Sequence, residues 1–152
     1  MKEEAFTSAA NRIRSLKEKG RYAEAEEEIR RVLEKEPDHL SFRLSLADLY
    51  LRQDRLTESR VPVEEGMTQD PQHPQALSFL GDILLKHHSS EEALPCYRQA
   101  CNREARSYLV LKAARALMEM GKCEEALANF SRQVLNATVI MTPTKIDDTL
   151  LV

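Results

Sequence analysis

A chain of 152 residues is the size of one domain and can bury a core without disulfides or a metal. At 42% hydrophobic and 31% charged, with four Gly and no Trp, its composition points away from a strand-rich sandwich and toward helices. A formal net charge of −3, with Lys and Arg interleaved among Glu, leaves no basic footprint for nucleic acid.

The start, Met1-Lys2-Glu3-Glu4-Ala5-Phe6, is charged and lacks the apolar stretch of a signal peptide. No segment approaches the ~18 consecutive apolar residues of a membrane span, so a cytoplasmic, reducing location is expected. In the first predicted helix Ala9, Ile13 and Leu16 recur at helical spacing, and Gly20 ends it. The second places Tyr22, Ala25, Ile29, Val32 and Leu33 on one face, opposite Glu24, Glu27, Glu28, Arg30 and Arg31. Pro37 cannot continue it. The scheme then returns with Leu46, Ala47 and Tyr50, a polar turn at Gln53-Asp54-Arg55, and a helix from Leu56 to Met67. A third pass has Leu77, Leu80, Gly81 and Leu84 before Ser89-Ser90-Glu91-Glu92, a serine-led helix start with acidic residues in its first turn. A fourth has Ala113, Ala114 and Leu117, a stop at Gly121, and a helix from Glu124 to Val134. Pro62 and Pro95 fall inside second helices, where a missing N–H should bend or loosen them. Beyond Leu135 the pattern changes, with Thr142-Pro143 as a helix start and Ile146 and Leu150 on one face.

These passes are one period. Pro37 and Pro71 are 34 residues apart, as are His39 and His73. Leu16, Tyr50, Leu84 and Leu117 hold one equivalent position, Ala25, Ser59, Ala93 and Ala126 a second, and Ile29, Val63, Tyr97 and Phe130 a third. The domain is therefore read as residues 1–137, in four units of about 6–39, 40–73, 74–106 and 107–137, with 138–152 as a tail or short capping helix.

The pattern resembles the tetratricopeptide repeat across about residues 5–137, best in the third unit through Leu77, Leu80, Gly81, Leu84, Ala93, Tyr97 and Ala100. Departures are Ile13 where a small residue is usual, and Ala105 and Thr138 in place of the closing proline. The resemblance implies an all-α fold, a right-handed superhelical array of antiparallel helix pairs whose first helices line a concave groove. It places Thr7, Ala10, Asn11, Arg14 and Lys17 of unit one on that face. Unit two contributes Leu44, Ser45, Asp48 and Leu51, and unit three Ser78, Phe79, Asp82 and Leu85. Unit four contributes Tyr108, Leu111, Lys112, Arg115 and Met118. The partner-binding set is taken as Asn11, Arg14, Leu44, Asp48, Leu51, Phe79, Asp82, Leu85, Tyr108, Leu111, Arg115 and Met118: apolar anchors among charges that orient a segment. The alternative is that some of the leucines pack between units. Members that grip chaperone C-termini carry a Lys/Asn/Arg carboxylate clamp; here those positions hold Ala10, Arg14, Ser45, Gln75 and Phe79, so no such binding is expected.

Little else points to chemistry. His39 and His73 begin successive helices at least ~8–10 Å apart, which speaks against a shared metal. His87-His88 ends a helix, and its two rings diverge. Cys96, Cys101 and Cys123 have no metal or redox spacing and are expected as small buried hydrophobes. No Ser/His/Asp set, phosphate loop or HExxH motif is present, and no cofactor is expected. The sequence thus reads as a non-catalytic adaptor that holds a protein or peptide partner. The alternatives are a scaffold that self-associates through its end faces, a homodimer through the C-terminal end included, and the regulatory part of a larger enzyme.

Overall fold

Among the described residues the period of the sequence becomes eight helices, and the backbone repeats as the side chains do. The computed structural model describes residues 2–104 and 106–141. In chain order the helices are α1 (Lys2–Glu18), α2 (Tyr22–Lys35), α3 (Leu40–Arg52), α4 (Leu56–Gly66), α5 (Pro74–Lys86), α6 (Ser90–Arg103), α7 (Ser107–Glu119) and α8 (Cys123–Met141). Among the described residues there is no strand, and no helix is long and apolar enough to cross a membrane. Each helix packs chiefly on its neighbours in sequence, and α3 also meets α5. This is an alpha–alpha superhelix, in which stability is the sum of unit and nearest-neighbour terms.

The turn inside each pair is built the same way four times. Gly20 (φ 71°), Asp54 (φ 60°), His88 (φ 58°) and Gly121 (φ 74°) all adopt the left-handed conformation. The next residue's N–H, on Arg21, Arg55, Ser89 and Lys122, donates to the carbonyl oxygen of Leu16, Tyr50, Leu84 and Leu117 at 2.8–2.9 Å. That is the six-to-one bond of a Schellman stop. Glycine adopts it freely at two of the turns, while Asp54 and His88 bear a steric cost to keep the same geometry.

Between pairs, His39 and His73 precede α3 and α5 in extended conformation without capping them through the side chain. Their Nδ1 atoms are buried and unpartnered among the described residues. The His39 ring meets Phe6 at 5.0 Å and Phe42 at 4.7 Å, both edge-on, so it serves as packing.

The core runs through the array as a relay. Ala9, Ile13, Ala25 and Ile29 pack on Phe42, Leu46 and Leu49 of α3; Leu44, Ala47, Leu51 and Val63 pack on Ala76 and Ile83 of α5; Tyr97 and Leu94 pack on Ala113, Ala116 and Leu117 of α7. Fit is size-matched: Ala47 accompanies Val63, whereas Gly81 accompanies the fully buried Tyr97, and a Cβ on Gly81 would stand 2.5 Å from the Tyr97 ring. The front of the array breaks the pattern. Where α3 has Phe42, Leu46 and Leu49, and α5 has Ala76, Leu80 and Ile83, α1 has Ser8, Arg12 and Ser15.

Pro62 and Pro95 lie inside α4 and α6 as expected from the period, and these helices run on through Gly66 and Arg103. Some sequence expectations change. Cys123 is exposed at the start of α8 and not buried, because no later helix covers that turn among the described residues. Cys96 and Cys101 are half-buried, and burial pushes both thiols up from their ordinary value. Helix α8 continues through Met141, and the reading of Thr142 to Val152 lies outside the described residues.

Candidate partner-binding groove

First helices place one face of each unit side by side, so residues one repeat apart form rows across the array. Asp48 and Asp82 share a row, Leu51 and Leu85 the next, and Arg52 and Lys86 a third. These rows, with Tyr97, Lys112, Arg115 and Glu119, line an open groove of about 950 Å³.

The two aspartates tie first helices together, but from opposite directions. Lys17 of the preceding unit donates to Asp48 Oδ2 at 2.7 Å, and Arg52 Nε adds a bond at 3.1 Å. Asp82 takes its cation from the following unit: Lys112 Nζ donates to Asp82 Oδ2 at 2.6 Å and to Ser78 Oγ at 2.8 Å. The buried Tyr97 hydroxyl donates to Asp82 Oδ1 at 2.8 Å. Lys86 Nζ reaches back to the Leu51 carbonyl oxygen at 2.9 Å, at the C-terminal end of α3 where a cation is favoured. The chain of contacts α1–α3–α5–α7 holds the curvature of the concave face.

Protonation follows from these contacts. Burial pushes the Asp48 carboxyl up, but Lys17 and Arg52 outweigh it and hold it below the ordinary carboxylate range. Burial, then Asp82, push the Tyr97 phenol well above its ordinary value. A carboxylate committed to two cations and a phenol committed as donor are poor proton shuttles. What the groove offers is a surface: apolar floor, fixed aspartates, and cations on the rim.

Of the residues expected on this face, Asp48, Leu51, Asp82, Leu85 and Arg115 come together in the groove. Leu51 and Leu85 are buried as its floor, with little surface of their own. Leu44 is buried in the α3–α5 interface and Phe79 half-buried against the same cluster. Asn11 lines a separate shallow groove of α1 with Glu4, Ser8 and Arg12. Arg14 is exposed on α1 without an ion-pair partner among the described residues. Tyr108, Leu111 and Met118 are exposed on α7 outside the groove, with Lys112 Nζ 5.7 Å above the Tyr108 ring. Sequence reasoning passed over Arg52, Lys86 and Glu119, one residue beyond the expected row, although two like cations one repeat apart were a visible signal.

Residues 11–74 match the family model described as tetratricopeptide repeat. A comparison with curated proteins finds no match. Among solved structures, pilF of Pseudomonas aeruginosa superposes at TM-score 0.77 with 18% identity, over 87% of this chain and 61% of that one. A thermophilic TPR protein of Thermus thermophilus gives 0.73 with 19% identity, over 83% and 71%. MamA from Desulfovibrio magneticus gives 0.71 with 14% identity, over 86% and 75%. At such identities the likeness is one of fold. The sequence period, the four identical turns and the family match over residues 11–74 agree on a tetratricopeptide-like array of about four helix pairs.

Proposed function

We propose that the chain is a non-catalytic adaptor that holds a segment of a partner protein in the groove across α3, α5 and α7, and so recruits or assembles a complex in the cytoplasm. The observation that supports this reading is the groove itself, where rows of equivalent residues leave an apolar floor between charged rims. The partner set carried into the proposal is Asp48, Leu51, Asp82, Leu85 and Arg115, joined by Arg52 and Lys86. Chaperone tails are not proposed ligands, since of the clamp positions only Arg14 carries a charge. A photo-crosslinking side chain at Arg52 or Arg115, compared with one at the exposed Glu27 on α2, tests it in the cell that makes the chain. Partner adducts are expected from the groove positions alone; equal adducts from position 27 overturn the reading.

A second reading, self-association through the C-terminal end, is supported by exposure there. Leu111 is 55% exposed where its equivalent Leu44 is 4%, and Met118 is 62% where Leu51 and Leu85 are 7% and 9%. Phe130 is 44% exposed where Val63 and Tyr97 are 0%. In the second and third units these positions are interior, because the next helix pair covers them.

A further inference from the structure

We propose that the segment the groove holds is acidic, an extended stretch with Asp or Glu beside its apolar anchors, met by Arg52, Lys86 and Arg115. The proposal rests on the groove reading and adds the class of ligand. The groove's carboxylates are spent. Asp82 accepts from Tyr97 on one oxygen and Lys112 on the other, Asp48 accepts from both Lys17 and Arg52, and Glu119 accepts from Ser90 at 3.0 Å. The rim cations are not. Arg52 uses only its Nε–H and keeps both Nη groups; Lys86 uses one N–H on the Leu51 carbonyl and stands 3.6 Å from the exposed Asp54 carboxylate, beyond hydrogen-bond reach. Arg115 stands 3.4 Å from Glu119 and makes no hydrogen bond among the described residues. All three side chains are about half exposed or more. A basic ligand would have to displace Lys17 or Lys112 from fixed pairs; an acidic one finds donors already free and forms charge-assisted bonds without breaking any.

Geometry narrows the class. Arg52 and Lys86 hold the same position on successive first helices, whose axes lie about 8–10 Å apart. An extended chain advances ~3.3 Å per residue, so acidic residues about three apart would meet both cations. Leu51 and Leu85 lie in the row beside them and give an apolar floor that suits side chains of a protein and not a phosphate backbone.

The test is selection of random peptides displayed on phage by the full chain, counter-selected on the variant R52E/K86E/R115E, its fold checked by circular dichroism. Recovered peptides are then measured by fluorescence polarisation. Expected are peptides enriched at least about threefold in Asp and Glu, with affinity falling at least about tenfold between low and high salt and lost in the variant. Recovery of neutral or basic peptides that the groove variant rejects overturns the acidic class and leaves the groove reading standing. Peptides that bind wild type and variant alike overturn both. An unstructured poly-dT oligonucleotide that competes as well as the acidic peptides overturns the protein class in favour of any polyanion.

Discussion

At the front of the array α1 carries Ser8, Arg12 and Ser15 at the three positions where α3 packs Phe42, Leu46 and Leu49 into its neighbour; at the rear, α7 and α8 keep Leu111, Met118, Leu127 and Phe130 exposed. Arg12 is held to Glu28 of α2 at 3.3 Å, so the front face is both polar and tied down. A repeat cannot bury its faces alone, and the two faces differ: that of α1 is polar, whereas that of α7 and α8 retains the chemistry of an interior interface. Head-to-tail stacking of copies would press the apolar rear on the polar front and is disfavoured. Contact at the rear calls for another apolar surface.

The largest expected effect separates interior from rear at a single repeat position. Tyr97→Ala removes a fully buried ring and its bond to Asp82 and should cost about 3–5 kcal/mol. Phe130→Ala, the equivalent change one unit on, should cost under about 1 kcal/mol. Urea denaturation of the two variants, followed by circular dichroism, measures the difference. Equal costs would mean that Phe130 is covered in solution and that the contrast between the ends is wrong.

Much of this was legible in the residues. The 3.6-residue spacing of Ala9, Ile13 and Leu16 and its return every 34 residues located the helices, because helix faces and repeats both write themselves as periods. Turn stops at Gly20 and Gly121 were visible from residue type, and the equivalent stops at Asp54 and His88 follow from the period. The site was only half legible. Leu44, Leu51 and Leu85 are apolar on the concave side, but whether such a residue stands free or fills the α3–α5 contact depends on how closely first helices approach, which no local pattern encodes. The pairing of Asp48 backward to Lys17 and Asp82 forward to Lys112 is likewise decided by side-chain reach across units. The polar front was written in Ser8, Arg12 and Ser15, and is recognised only against the equivalent residues of later units.

A smaller effect should appear on acidification, and at the front first. Burial pushes the Glu26 carboxyl up, but Arg30, Tyr50 and Arg55 together outweigh it and hold it below its ordinary value, and Asp48 is depressed in the same sense. Tyr50 OH and Arg30 each lie 2.8 Å from Glu26 Oε1, and Arg55 stacks 4.3 Å over the Tyr50 ring, so the network joins units one and two. A carboxylate with a depressed folded pKa contributes stability that is full above the ordinary value near 4 and is lost as pH falls through the lowered one. Amide exchange compared at about pH 6 and pH 3 should therefore show α2 and α3 losing protection before α5 and α6. Glu26→Gln should remove part of that difference. Uniform loss along the array would show that these pairs are too well solvated to matter.

The smallest effect is the one that tests the rear directly. Leu111→Ser with Met118→Ser removes two large apolar side chains that stand mostly in water, so folding stability should change by no more than about 0.5 kcal/mol. The equivalent Leu51→Ser, at the floor of the groove, should cost about 2–5 kcal/mol, since it empties a packed site. If the rear joins two copies, the melting temperature of the wild type rises with protein concentration, because association stabilises only the folded state. The double variant should then melt at one temperature whatever its concentration, and sedimentation should show it monomeric. A wild type that is monomeric and concentration-independent throughout removes self-association from the candidates and leaves the exposed α7–α8 face to a different partner.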